Sequence, residues 1–366
     1  MKRAFCIVMM AATAALGFDA ARPGYDYQFP RDHFSHPNFE TEWWYYTGNL
    51  HTRQGRRFGF ELTFFRYAVG EESGGDSPWN IRDLYLAHLT LSDIEGQRFH
   101  KTDRLNRAGP GLAGVDAEKA LIWNGNWRVQ WLDAAMPKGA QRLTAYADEF
   151  SLELDLSPLK PPVIHGADGI SQKAAGEGKA SHYISFTRLA ASGSLVLRSE
   201  AFDVKGLAWM DHEFSTDSLG SDQIGWDWMS IQLDDDSELM LYRMRRSDGT
   251  ADPHSSGTYI DADGRDRHLS WSEIQMTPGA DSDWKSPTTG GVYPLMWKVE
   301  IPGLALDLTG TTDLDDQEVV SERRIGPNYW EGAMNFSGQK AGKPITGAGY
   351  LEMTGYDKPL QLGPEE

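Results

Sequence analysis

The chain has 366 residues, 53 acidic against 35 basic side chains, a formal net charge of −18, and 13 tryptophans and 14 tyrosines. That charge argues against nucleic acid as a partner, since affinity there rests on Lys and Arg neutralising phosphates, and it disfavours an anionic membrane surface as well. The length calls for two domains; the aromatic load suits strands and cores or, on a sharper reading, an aromatic-lined pocket.

The amino terminus reads Met1-Lys2-Arg3, then the apolar run AFCIVMMAATAALG over 4–17, closing on Ala15-Leu16-Gly17. This is the basic, apolar and small-residue order of a secretory signal, with cleavage expected after Gly17. The run is too short for a permanent span, and no later stretch reaches the roughly 18 apolar residues of one. The expected location is therefore periplasmic or secreted, with no membrane span. Cys6, the single cysteine, would leave with the leader. The mature chain would then have no disulfide, zinc–thiolate site or cysteine nucleophile.

Beyond residue 40 the chain reads as strands. In RFGFELTFFR (57–66), Phe58, Phe60, Leu62 and Phe64 share one face. LYLAHLTL (84–91) is apolar on both faces, which predicts a strand covered on both sides. Further alternating runs occupy 120–131 and 143–156, and 226–245 holds two strands around Asp234-Asp235-Asp236. Late strands are expected near 293–301, 304–312, 329–337 and 345–356. No helical stripe appears, and Asp-Gly at 248–249 and 263–264 and Gly-Gly at 290–291 supply turns. The expected class is all-β, a sandwich or barrel.

A weak repeat divides this architecture. Glu42-Trp43-Trp44-Tyr45-Tyr46 leads through a turn into 57–66 and ends on Arg66; Trp226-Asp227-Trp228 leads through 234–236 to Tyr242-Arg243. The repeat predicts modules at 18–215 and 216–366, with a linker within 214–222. The first would close on Tyr183–Arg188 and the second on Tyr350–Gly355, with 160–180 a loop inside the first.

Several motif fragments carry no chemistry. Gly109–Gly114 fits G-x-G-x-x-G but contains Pro110 and follows no clear strand. His212-Glu213 opens H-E-x-x-H, but Thr216 stands at the second His position. No G-x-S-x-G elbow exists. Asp261-Ala262-Asp263-Gly264 suits a hairpin turn better than a calcium loop.

Trp209-Met210-Asp211-His212-Glu213-Phe214 is the suggestive cluster. On a strand, Asp211 and Glu213 point to one face and His212 to the other, so the three do not converge on one metal. Two carboxylates on one face can split their pKa values and keep one acid protonated as a proton donor. The plain alternative is a polar corner paired with arginine. Trp226, Trp228, Tyr242 and Arg243 lie nearby in sequence, Glu40 and Glu42 flank Trp43 and Trp44, and His36 and His88 are either further candidates or structural histidines.

The segment His36–Leu50 (HPNFETEWWYYTGNL) resembles the opening signature of the AttH-like secreted proteins and carotenoid 1,2-hydratases. Tyr85–His88, Gly206–Glu213, Gly225–Trp228, Tyr329–Gly332 and Gly349–Tyr356 are similar to the family in the same order. The resemblance spans about residues 33–357. It implies two lipocalin-like antiparallel β-barrel or sandwich modules with a pocket at or near their junction. No cofactor or metal is expected. Where the hydratases have Asn and an aromatic after Asp-His, this chain has Glu213 and Phe214.

Two functions follow. One is an exported enzyme that hydrates, isomerises or hydrolyses an apolar isoprenoid- or lipid-like substrate, with Asp211, His212 and Glu213 catalytic. Glu42, Trp43, Trp44, Tyr46, His88, Trp209, Trp226, Trp228, Tyr242 and Trp330 would then bind substrate. The other is a non-catalytic periplasmic carrier of a small apolar ligand, with components of an ABC-type transport system as partners.

Overall fold

Two antiparallel sheets follow one another along the chain. The computed structural model describes residues 17–69, 81–133, 139–217, 219–321 and 327–360; apart from Gly17, the expected leader with Cys6 lies outside them. The first sheet uses β1 (Thr41–Thr52), β2 (Arg57–Ala68), β3 (Asp83–Asp93), β4 (Arg98–Arg107), β5 (Ala113–Asp116), β6 (Leu121–Asn124), β7 (Trp127–Trp131), β8 (Gln141–Tyr146), β9 (Phe150–Pro158), β10 (Val163–Ile164), β11 (Ser171–Gln172), β12 (Ala180–Leu197) and β13 (Glu200–Ser215). The second uses β14 (Gln223–Leu233), β15 (Glu238–Arg246), β16 (Ser256–Ile260), β17 (Asp266–Ser270) and β18 (Gln275–Pro278). After the separate hairpin β19 (Asp283–Lys285) and β20 (Val292–Pro294), it continues with β21 (Met296–Ile301), β22 (Leu306–Thr311), β23 (Glu318–Val319), β24 (Tyr329–Lys340) and β25 (Lys343–Thr354).

The first sheet runs β4-β3-β2-β1-β13-β12-β9-β8-β7-β6-β5, with β10 and β11 also on β12. Its edges meet through side chains: Asn106 donates to Asn124 Oδ1 at 2.6 Å and Asn124 donates to the Tyr85 carbonyl at 3.0 Å. The result is a nearly closed barrel, filled by Trp44, Phe58, Phe60, Leu62, Phe64 and their neighbours. The second sheet runs β17-β16-β15-β14-β25-β24-β22-β21-β18. It curls into a half-barrel around Met229, Leu241, Trp297, Trp330 and Leu351. Among the described residues no helix is long and apolar enough to cross a membrane.

Each sheet joins its first long strand to its last, β1 to β13 and β14 to β25. This corrects the closing strand expected for the first module. Tyr183–Arg188 lies inside β12, whose alternation continues through Leu195 and Leu197 into the barrel core. The chain then reverses, and β13 takes the place beside β1.

The barrel's outer face packs on the half-barrel, with Tyr45, Tyr183 and Trp209 against Trp228, Tyr242 and Tyr350. Below this aromatic layer the sheets come very close. A Cβ on Gly59 would lie 2.5 Å from Tyr350 Oη and 2.9 Å from Ala333 Cβ, and Asn49 donates to the Gly349 carbonyl at 3.1 Å. Gly59→Val is therefore expected to lose about 2 kcal/mol in urea unfolding by forcing the sheets apart; an unchanged midpoint would mean that the junction is loosely packed.

The segment 160–180 is not confined to the first module. It crosses as a strap onto the second: Lys160 Nζ pairs with Glu238 at 2.7 Å, His165 Nδ1 lies 2.8 Å from Thr258 Oγ1, and Ser171 Oγ lies 3.0 Å from Tyr242 Oη. Its prolines and glycines rule out a continuous sheet strand, so its polar groups find partners on the neighbouring half-barrel instead.

Candidate functional site

Alternation along β1 and β13 divides their residues between two environments. Trp43 and Tyr45, in register with Glu213 and Asp211, face the half-barrel; Trp44 and His212 are in register on the barrel side. Where the sheets diverge above Gly59 they enclose a cavity of about 120 Å³. Of the residues expected to form a site, Trp43, His88, Asp211, Glu213, Trp226, Trp228 and Tyr242 meet on its wall. Trp209 stands behind, its indole donating to Asp211 Oδ1 at 2.6 Å.

Glu42, Trp44, Tyr46, His212 and Trp330 do not line this cavity, and strand alternation is the reason. Trp44 lies in the barrel, donates to the His33 carbonyl at 3.0 Å and stacks on His212. Tyr46 donates to Gln141 at 2.5 Å. Trp330 fills the half-barrel core and donates to the Asp315 carbonyl at 2.7 Å, while its neighbours Tyr329 and Glu331 turn towards the junction.

Asp211 is buried and accepts from Ser185 Oγ, Trp209 Nε1 and, at 2.8 Å, Tyr183 Oη. Trp228 of the half-barrel donates in turn to Tyr183 Oη at 2.9 Å. Burial pushes the Asp211 carboxyl up to about 7, against the pull of these three donors and with help from the Glu213 charge. Glu352 holds the corresponding place in the second sheet. It lies on the last strand, in register with Trp228 of the first, as Asp211 is in register with Tyr45. Burial raises Glu352 to about 8, opposed by Trp226 and reinforced by the charges of Glu61, Asp211 and Glu213.

Further carboxyls surround this pair. Burial lifts Glu61 to about 7 despite hydrogen bonds from Thr63 and Tyr329. Glu331, which accepts from Tyr45 Oη at 2.7 Å, is raised well above its ordinary value by burial and by its acidic neighbours. Glu213 differs: it pairs with Lys173 Nζ at 3.1 Å and accepts from Ser181 Oγ. His88 contacts Tyr329 Oη at 2.5 Å, and burial lowers its imidazole to about 4, so it is neutral. At neutral pH, then, this wall holds carboxyls able to give or take a proton.

Glu61, Glu331, Glu352, Lys173, Tyr183 and Ser185 were not singled out by the sequence patterns. A lone glutamate in an otherwise apolar strand run, as in RFGFELTFFR or YLEM, is the available signal.

Glu42 and His212 belong to a separate buried ionic cluster in the barrel mouth. Glu42 Oε1 lies 2.7 Å from His36 Nδ1 and 2.9 Å from His212 Nε2, and Oε2 lies 3.0 Å from Arg66 Nε. The outer ring nitrogens contact Asp32, His36 through the carboxylate at 3.1 Å and His212 through the carbonyl at 3.0 Å. Among the described residues, His36, Glu42 and His212 are the group whose donor atoms, within 4.8 Å of one another, have metal-ligand chemistry. Both Glu42 oxygens already accept from these groups and from Ser35, and Arg66 supplies the positive charge a metal would bring. The cluster fits an ion network better than a metal centre.

The chain matches the AttH-like family model over residues 20–356. It is similar to the crystal structure of a putative AttH from Nitrosomonas europaea, with a TM-score of 0.81 and 33% identity over 93% of this chain and 100% of that one. Kievitone hydratase from Nectria haematococca shares the fold, with a TM-score of 0.68 and 18% identity over 91% of this chain and 93% of that one. In sequence the chain is 24% identical to kievitone hydratase of Fusarium solani subsp. phaseoli over 41% of each chain. It is 23% identical to the dehydratase asqC of Emericella nidulans over 52% of this chain and 54% of that one. The chain thus spans about half the length of the curated relatives it matches, or less.

Proposed function

The chain belongs to the AttH-like family, and on that premise we propose that it is a hydro-lyase, adding water to or removing it from a small, largely apolar substrate between the two sheets. One observation carries the reading: Asp211 and Glu352, on equivalent strands of the two sheets, share one cavity and are pushed to about 7 and about 8. Loss of water from an alcohol needs a base for a carbon-bound proton and an acid for the departing hydroxyl. Asp211, stabilised as a carboxylate by three donors, suits the base. Glu352, with the higher value, suits the acid. The reverse assignment serves hydration.

Relatives named as a hydratase and a dehydratase support water chemistry, and the tryptophan and tyrosine faces suit an apolar substrate. Glu213 is already engaged by its ion pair with Lys173 and its hydrogen bond from Ser181. The leader-like amino terminus supports an exported protein.

The test incubates the purified protein with an apolar metabolite extract and follows it by mass spectrometry. Pairs of compounds differing by one water should interconvert with the parent protein and not with Glu352→Gln. An extract that stays unchanged, or a Glu352→Gln variant with undiminished conversion, overturns the proposal.

A further inference from the structure

Lys173 is the one cation on the cavity wall among the described residues, since His88 is neutral. It sits on the strap just after β11. The half-barrel holds it there: Gln223 donates to the Lys173 carbonyl at 2.8 Å and Tyr242 Oη donates to the Gln172 carbonyl at 3.1 Å. Its ammonium lies 4.1 Å from the centre of the Tyr242 ring and 5.0 Å from that of Tyr183. Burial would lower the Lys173 ammonium, but Glu213 and Tyr242 hold it above its usual value, so it is charged. An ammonium has three N–H donors, and among the described residues Glu213 is its one ionic partner, at 3.1 Å.

The sign of that charge separates two kinds of water chemistry. Protonating an isolated double bond makes a carbocation, which a nearby ammonium opposes. Removing the proton next to a carbonyl makes an enolate, which the same ammonium stabilises.

Resting on the hydro-lyase reading, we infer that the substrate is a β-hydroxy carbonyl compound or its α,β-unsaturated counterpart, with the carbonyl oxygen on Lys173. The Asp211 carboxylate takes the α-proton, and the electron pair moves onto the oxygen beside Lys173. The pair returns to form the double bond as the β-hydroxyl leaves with the Glu352 proton, giving water. Asp211 ends protonated and Glu352 ionised; hydration is the same path reversed.

Binding of a matched pair of probes tests this without turnover. Benzylideneacetone carries the conjugated carbonyl, and (E)-1-phenylbut-1-ene has the same skeleton without the oxygen. By calorimetry the parent should bind the ketone about tenfold more tightly than the hydrocarbon, as a charged hydrogen bond implies. The ketone's carbonyl stretch should shift to lower frequency on binding. Lys173→Met should abolish both the preference and the shift while leaving hydrocarbon affinity unchanged, measured well below the unfolding temperature because loss of the ion pair with Glu213 should lower thermal stability; Lys173→Arg should keep part of the preference. Equal affinity of the parent for both probes, or a preference that survives in Lys173→Met, overturns the inference. Water exchange is read by the extract experiment instead, so a failure of the carbonyl inference is distinguishable from a failure of the hydro-lyase reading.

Discussion

Asp211→Asn is expected to lower turnover of any substrate found in the extract screen about a thousandfold, and to make the protein about 2 kcal/mol more stable at pH 8. Both effects come from the same burial. The Asn oxygen can still accept from Ser185 and Trp209, so the geometry survives, but no base remains. In the folded protein Asp211 titrates near 7 against an ordinary 3.8. A raised folded value means that its contribution to stability is present below pH 3.8 and is lost as the pH rises through about 7. The neutral amide escapes that loss. Urea unfolding at pH 5 and pH 8 should therefore show the variant's advantage growing with pH. A parent that is the more stable at pH 8 would mean that Asp211 is comfortably solvated. The parent's dehydration rate should rise through about pH 7 as Asp211 ionises and fall through about pH 8 as Glu352 does, the two limbs belonging to the coupled pair. Asp211→Asn should lack the acid limb.

Glu42→Ala should cost about 4 kcal/mol of stability, because it leaves Arg66 and two imidazoles buried without their shared carboxylate. Burial works against the Glu42 charge, but hydrogen bonds from His212 and His36 hold its carboxyl well below the usual carboxylate range. A depressed folded value gives stability that is present above the ordinary value of 4.5 and lost as the pH falls. The variant's unfolding free energy should therefore be lower at pH 7 and flatter below pH 4.5 than the parent's. Adding Arg66→Met should restore part of the loss, since it removes a buried cation that then keeps only its pair with the part-exposed Asp83 among the described residues. A Glu42→Ala protein of parental stability would mean that the cluster contributes nothing to the fold.

These variants also mark how far the pattern of residues could be followed. LYLAHLTL announced a strand covered on both sides and RFGFELTFFR an alternating one; β3 is such a covered strand, and β2 proves to be covered on both sides as well. They line the barrel with Phe58, Phe60 and Leu89 and face the half-barrel with Glu61 and His88. Asp211 and Glu213 on one face, with His212 on the other, followed from the strand period alone. That period did not distinguish the barrel interior from the module junction, because both are buried and both are aromatic. Trp43 and Trp44 look alike in sequence, yet one lines the cavity and the other fills the barrel. Glu42 and Glu61 look alike as well, and end in an ion network and on the cavity wall.

By itself the sequence determined an all-β chain of the AttH-like family, since strand period, turn residues and the ordered signature segments are local and survive in one dimension. Only the tertiary structure decided which buried face lines the cavity between the sheets. It set Glu352 of the second sheet in one cavity with Asp211 of the first, and it carried Lys173 on the strap to Glu213. The physical reason is that a carboxyl's proton affinity depends on what covers it, and the residues that cover Asp211 and Glu352 come from strands far away in the chain.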